Sequence, residues 1–428
     1  MTKPAGVLAV AGLIAAGGLT GASPAACLSP WLCPMPVSTA APAGAMATAR
    51  ALHTASQTAD PASSSEITLD ELQSAIDRLG AFEYADRLKA AQLVRRTRGT
   101  LTLPALIEAA SAHADGYVRY KALVLLSGYD DPRVAEQMAQ AMRDPNDRLR
   151  AVAYQYFERH PEPRLVPTFV EVFDKELAEF VRPALVRAMA ALGDEPRVRS
   201  LLLRDVTRGQ DFFRSTVIHA LGDYKAVWAV EAISGVARLE GPLQDDAVLA
   251  LGRIGDPSVI GLLAGLQRTA PRETQPTIAA ALCLLGRNCD LHRRFLVRTL
   301  TFADETMGYQ ELLRSASTGL GAIAATGDVE AVRAMLDTGI PSVDPTRAPV
   351  ALALAEMALD NPSFLLETMM KRSDYREAVE LLREGFDMLE EDFAEEQFYV
   401  TARRAFWAAP EGSAARSMAE TVVQMLEF

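Results

Sequence analysis

The chain has 428 residues, a net charge of −12, 49% hydrophobic and only 7% aromatic residues. That length holds two or three ordinary domains or one extended repeat array. The small, Ala- and Leu-rich apolar fraction suits closely packed helices and excludes a β-sandwich. The acid excess disfavours broad binding to phosphate backbones, so no nucleic-acid partner is expected.

Residues 1–26 have the order of a secretory signal: Lys3, an uncharged apolar stretch from Gly6 to Thr20, then small residues at Ala22-Ser23-Pro24-Ala25-Ala26. The stretch is marginal as a membrane span, and export to an extracytoplasmic compartment is expected, with retention as an N-terminal membrane anchor as the alternative. Cys27 stands where a lipidated first residue would, but Pro24 occupies the position at which a lipoprotein signal has Leu. No membrane span is expected in the mature chain. Residues 27–66 are Ala-, Pro- and Ser-rich with few large apolar side chains, which reads as a flexible linker. The four cysteines form two equally spaced pairs, Cys27 with Cys33 and Cys283 with Cys289. Neither spacing is that of a zinc or redox motif. In an oxidising compartment each pair closes a small disulfide loop. Otherwise Cys283 packs as a small apolar group and Cys289 is unrelated to it.

Order is expected from residue 67. Thr68 with Glu71 offers a capping box, and Leu69, Leu72, Ile76 and Leu79 follow at helical spacing. From about Leu101 to Met357 a repeat emerges, with residues 67–100 and 358–428 as capping helices of one array spanning 67–428. Its marker is an Arg at Arg119, Arg150, Arg182 and Arg214, replaced by Gln244 and Gln275, then Arg again at Arg314 and Arg347. The steps are 31, 32, 32, 30, 31, 39 and 33 residues. Three residues beyond the marker come Ala122, Ala153, Leu185, Val217, Ala247, Ile278, Ser317 and Val350. Seven beyond come Leu126, Phe157, Met189, Leu221, Leu251, Leu282, Gly321 and Leu354. Positions three and seven on share one helix face, so each marker opens a helix with a buried stripe. The unit after Arg314 departs with Ser317 and Gly321 and follows the longest step, where an insertion or bend is expected. Gly193, Gly222, Gly255 and Gly327, each followed by Asp, read as left-handed helix stops. Pro132, Pro163, Pro196 and Pro257 read as first-turn residues of the next helix. Two helices per unit cannot bury both faces alone, whereas stacked neighbours can.

The strings QDDAVLALGRIGDPSVI (Gln244 to Ile260) and RPALVRAMAALGDEPRV (Arg182 to Val198) resemble the HEAT-repeat family, in the short form similar to phycobilisome-lyase-like repeats. The resemblance implies an all-α fold: a right-handed superhelix of stacked helical hairpins, an α-solenoid. It also implies that the second helix of each hairpin lines the concave side. The residue five beyond the marker then points partly outward: Val124, Gln155, Arg187, His219, Leu249 and Ala280 form the candidate concave binding surface, of which Val124, Gln155, Arg187 and His219 are singled out.

An acid precedes most markers: Asp147, Glu179, Asp211, Glu311 and Asp344 three residues before, Asp115 four before Arg119. Such pairs fit a structural ladder of Arg119, Arg150, Arg182, Arg214, Arg314 and Arg347 better than a row of anion clamps. Gly319-Leu320-Gly321 matches a dinucleotide fingerprint by letters only, since it occupies a repeat helix and not a strand–turn–helix. The five histidines, His53, His113, His160, His219 and His292, are scattered, and no His-Glu dipeptide or G-x-S-x-G elbow occurs. No catalytic, metal or cofactor residue is nominated. The expected function is a scaffold or adaptor for a protein or peptide partner, with a lyase-like enzyme using a pocket in the curve as the alternative.

Overall fold

The structure is a computed structural model that describes residues 67–305, 309–389 and 391–427, all within one compact unit spanning 57–428. The expected signal and linker, residues 1–26 and 27–66 with Cys27 and Cys33, lie outside the described residues. These are all-helical. The N-terminal hairpins are α1 (Leu69–Arg78), α2 (Tyr84–Arg96), α3 (Gly99–Ala112), α4 (Gly116–Leu126), α5 (Pro132–Ala141), α6 (Asp147–Arg159), α7 (Val166–Val172) and α8 (Arg182–Ala190). The middle holds α9 (Pro196–Thr207), α10 (Asp211–Asp223), α11 (Val230–Ala237), α12 (Gln244–Ile254), α13 (Ile260–Thr269), α14 (Gln275–Leu284), α15 (Cys289–Glu305) and α16 (Gln310–Ala325). The C-terminal part is α17 (Val329–Gly339), α18 (Arg347–Asp360), α19 (Pro362–Met369), α20 (Tyr375–Leu389), α21 (Asp392–Ala408) and α22 (Ala414–Met425).

Successive helices pair into antiparallel hairpins, and the hairpins stack in two layers as an α-solenoid. Every marker from Arg119 to Arg347 falls at or near the start of an even-numbered helix. The residues three and seven beyond it are buried in all eight units, Ser317 and Gly321 included. The stripe is part of the core, where burial of a Leu- or Ile-sized side chain contributes about 1.5–3 kcal/mol.

The even helices stack against one another through small residues. A Cβ on Gly222 of α10 would meet Ala250 of α12, and one on Gly252 would lie 2.5 Å from the Ala281 Cα of α14. Gly321 of α16 comes against Ala353 of α18, and Gly385 of α20 against Ala351 and Ala355. Gly321 therefore repeats, in the atypical unit, a contact that its neighbours make elsewhere. The long step before it is taken up by α15, which is 17 residues long and packs on both α14 and α16.

Local chemistry sets the helix ends. Thr68 and Glu71 close the capping box of α1; Asp115, Asp131, Asn146 and Asp328 accept from the first-turn N–H groups of α4, α5, α6 and α17. Pro132 and Pro196 start α5 and α9, and Pro163 and Pro257 open short 3-10 turns. Gly255 and Gly327 take the left-handed conformation, at φ 80° and 93°. Gly193 and Gly222 do not: α10 continues through Gly222, which serves close packing, and the left-handed residue there is Lys225 at φ 51°. Cys283 and Cys289 are joined by a disulfide across the turn between α14 and α15, with Cα atoms 4.2 Å apart.

The marker slot has one recurrent task. Its side chain donates to carbonyls left unpaired at the C-terminus of the preceding odd helix. Arg119 donates to His113 O at 2.9 Å, Arg150 to Asp144 O at 3.0 Å and Arg214 to Val206 O at 3.1 Å. Gln244 donates to Ala237 O at 3.0 Å, Gln275 to Ala270 O at 3.0 Å and Arg347 to Gly339 O at 3.0 Å. Gln replaces Arg because the slot needs an N–H donor of sufficient reach and not a charge. Arg182 differs: its guanidinium lies 3.5 Å from the centre of the Phe213 ring and its buried Nε has no hydrogen-bond partner.

The acids that precede the markers in sequence pair with them only in part. Arg214 meets Asp211 at 3.0 Å and Arg314 meets Glu311 at 2.7 Å. Arg150 instead forms a two-pronged pair with Glu176, both contacts at 2.8 Å, and Arg347 a pair with Glu384 of α20 at 2.7 and 2.9 Å. Asp115 and Asp344 cap the backbone at Tyr117 and Ala348. Burial pushes the Glu176 carboxyl up, but the hydrogen bonds from Arg150 and from the Ala178 N–H outweigh it and hold it below its ordinary value.

Two substitutions test this packing. Gly252→Ala, forcing α12 and α14 apart, should lower stability by about 1–3 kcal/mol, read as a shift in the urea midpoint; an unchanged midpoint would show that the helices separate freely. Arg150→Met leaves a carboxylate whose side chain is 5% exposed without its partner and should cost about 2–4 kcal/mol. Arg150→Gln, which keeps a donor for the carbonyls, should cost less; equal losses would mean that the carbonyl bonds contribute nothing.

Candidate protein-binding surface

The residues five beyond each marker lie on the opposite side of the even helices from the buried stripe. They divide into two groups. Val124 and Leu249 are each 3% exposed and Ala280 is fully buried, so these three are core and not surface. Val124 belongs to the first of two hydrophobic clusters, on α4, across which α21 packs. Leu249 and Ala280 belong to the second, where Gly319 of α16 comes against Ala280 and Leu296.

Gln155, Arg187 and His219 are half-buried on the inner face. Each is held by charge. Gln155 Nε2 donates to Glu391 at 3.1 Å. Arg187 bridges Glu158 at 2.7 Å and Asp223 at 2.6 Å, and Asp223 also accepts from Arg253 at 2.7 Å. His219 Nε2 lies 3.0 Å from Asp246. An ion-pair chain, Glu158–Arg187–Asp223–Arg253, thus runs across four even helices, α6, α8, α10 and α12. The signal was in the sequence: Glu158 and Asp223 both fall close to the C-terminal ends of their helices, but only the fold brings them to one arginine.

Glu356 and Asp360 of α18 face this chain. Both reach water, yet the protein around them raises their carboxyl pKa values, and Asp223 adds to the effect at Asp360 while Arg253 opposes it at Glu356. Residues more than 100 positions apart thus look onto one inner surface.

The array also closes on itself. Arg95 of α2 binds Glu396 of α21 at 2.6 Å, and Asp392 accepts from Lys121 and Tyr120 of α4, both at 2.6 Å. Gln397 donates to the Ser127 hydroxyl at 2.9 Å. These partners are some 270–300 positions apart, and no local pattern announces them. Elsewhere, Leu177 and Phe180 between α7 and α8, Phe212 in the first turn of α10 and Leu239 between α11 and α12 are exposed in three successive hairpins.

Among the described residues no three His, Cys, Asp or Glu side chains are placed to hold a metal ion. His292, three residues from Cys289, is buried, and burial lowers its pKa to about 4, so it stays neutral. Gly319 and Gly321 lie inside α16, where the backbone N–H groups serve the helix. Two surface hollows are lined by odd helices, one by Val170, Pro196 and Leu201 and one by Arg293, Arg294 and Arg298.

Glu395 gives the closure a pH dependence. Burial, then Asp392, push its pKa up to about 7, against Lys121 and Arg95 from the facing helices. A carboxyl raised in the folded state stabilises that state at low pH, and the contribution is lost as pH rises through about 7. Glu395→Gln should therefore stabilise the protein at pH 8.5 by about 1–2 kcal/mol and change little at pH 5. Equal effects at both pH values in urea titrations would remove Glu395 from this role.

The chain matches no known family profile and no curated protein. Solved structures similar to it include YibA of E. coli, at 17% identity over 52% of this chain and 83% of that one, TM-score 0.39. A Kap121p mutant matches at 14% identity over 84% of this chain and 45% of its own, TM-score 0.38. Kap95p bound to RanGDP matches at 10% over 84% and 61%, TM-score 0.39. The chain thus spans about half the length of the Kap121p chain it is similar to.

Proposed function

We propose that this protein is a non-enzymatic scaffold that binds a protein or peptide partner across the inner face of its even helices, in an extracytoplasmic compartment. The observation that carries the reading is the ordered ion-pair chain Glu158–Arg187–Asp223–Arg253, faced by Glu356 and Asp360. Such a surface offers preformed donors and acceptors in fixed register over successive hairpins, which suits an extended segment or a helix. The Cys283–Cys289 disulfide and the signal-like order of residues 1–26 support the compartment.

The test is purification of the C-terminally tagged full chain after mild crosslinking in its native cells. Partner identification and mass spectrometry of the mature N-terminus follow in the same run. The expected result is one protein in fixed stoichiometry and a start at or beyond Cys27. An intact Met1 would overturn the compartment, and the absence of a stoichiometric protein would overturn the scaffold. With the partner in hand, Gln155→Ala with His219→Ala should weaken binding about tenfold or more at a nearly unchanged melting temperature. Unchanged binding would move the site off the inner face.

A further inference from the structure

Helix α15 carries cations that the rest of the chain leaves unanswered. Arg294, Arg298 and Phe302 recur every four residues and so share one helix face, and all three are exposed. No Asp or Glu occurs from Leu291 to Ala303, in a chain whose net charge is −12. Among the described residues neither Arg294 nor Arg298 has an ion pair, although Arg293 beside them is held by both Asp290 and Asp328. Other odd helices balance their cations. Arg133 of α5 meets Asp131 at 2.9 Å, Arg204 of α9 meets Asp174 at 2.7 Å and Arg333 of α17 meets Glu330 at 2.8 Å. Two like charges one turn apart repel and weaken a helix, and no contact among the described residues offsets that cost for Arg294 and Arg298.

The stripe has shape as well as charge. Arg293, Arg294, Val297 and Arg298 of α15, with Glu330 and Ala334 of α17, line a surface hollow of about 320 Å³. Val297 and Ala334 are its apolar part, and Glu330, its one acid, is taken by Arg333. Further along α15, Phe302 is 42% exposed. The Arg272 guanidinium lies 4.9 Å from the centre of that ring and 4.6 Å from the centre of Tyr309. Arg272 also lacks an ion pair among the described residues, Glu273 beside it in sequence included.

We propose that this side of α15 is a docking surface for a short acidic helix of a partner protein, with carboxylates on Arg294 and Arg298 and an apolar side chain in the hollow against Val297 and Ala334. Charge complementarity sets the occupant. Arg294 and Arg298 are about 6 Å apart along the helix axis, and acids one turn apart on a partner helix repeat that spacing. Each carboxylate can then take the fork of one guanidinium, and an apolar residue three positions from the first acid mirrors Val297. A lipid sheet or a nucleic acid is also anionic, but beyond the stripe it would meet the acid excess of the chain. A short segment meets only the charges within a Debye length, about 8 Å. The surface is separate from the inner-face residues Gln155 and His219 and stands or falls without them.

The experiment uses the full chain and a fluorescein-labelled probe peptide of about 18 residues, long enough to be helical. The peptide is Ala-rich, with two glutamates four apart and a leucine three after the first, and anisotropy follows its binding. Saturable binding at about 10–100 μM is expected. Arg294→Glu with Arg298→Glu should weaken it about tenfold or more at an unchanged melting temperature, since neither side chain is buried or paired. Arg208→Glu with Arg238→Glu makes the same change of net charge at exposed arginines of other hairpins and should alter binding by less than about twofold. No saturable binding below about 1 mM, or equal losses in the two charge variants, would overturn the proposal. So would capture of phosphatidylglycerol vesicles through Arg294 and Arg298 by a chain that ignores the peptide. If Gln155→Ala with His219→Ala abolishes peptide binding instead, the peptide sits on the inner face and this docking surface falls.

Discussion

The close approach of neighbouring even helices is the constraint on which the rest of the structure depends. Gly222 on Ala250, Gly252 on Ala281, Gly321 on Ala353 and Gly385 on Ala351 let helix backbones come almost into contact. At such separations dispersion acts between main chains, and no side chain has to find a rotamer to fill the gap. The helices gain their hold from registry and not from bulk, which is why a chain with 7% aromatic residues builds two continuous cores.

Close stacking creates a second demand, because hairpin turns squeezed together leave helix-end carbonyls short of partners. The marker residue answers it from the start of the next helix. That Arg and Gln both serve identifies the requirement as a donated hydrogen bond, with charge as an addition where an acid such as Glu176 or Glu384 is in reach. The inner face follows the opposite logic. There the ends of α6, α8, α10 and α12 bring acids and arginines together in an ordered chain that water still reaches.

The repeat, its helix starts and its buried stripe were legible in the sequence because they depend on residues three to seven apart. The left-handed turns were legible only in part. Gly255 and Gly327 adopt them, while Gly193 and Gly222, also followed by Asp, serve packing against Trp228 and Ala250; the Gly-Asp pair does not separate a glycine needed for its φ from one needed for its size. Of the residues five beyond the markers, Gln155, Arg187 and His219 keep partial exposure, whereas Val124, Leu249 and Ala280 are core. Spacing gives the direction in which a side chain points, but what stands opposite is decided by other helices, α16 against Ala280 and α21 across α4, the latter with partners some 270–300 residues away. The acids next to the markers misled in the same manner, since Arg150 and Arg347 chose carboxylates of the following hairpin.

The return of α21 to α4 has a consequence for how such a chain can change over evolutionary time. An open stack gains or loses a unit at small cost, because each hairpin touches only its neighbours. Here the distance and angle between the first and last hairpins are fixed by Arg95 with Glu396 and Lys121 with Asp392. Duplicating or deleting one interior hairpin would carry α21 past its partners by roughly the width of a helix, about 10 Å. The number of units is therefore a conserved quantity in this architecture, as the number of blades is in a closed ring. Length is free to vary instead within single helices, where a change leaves these closing contacts in place.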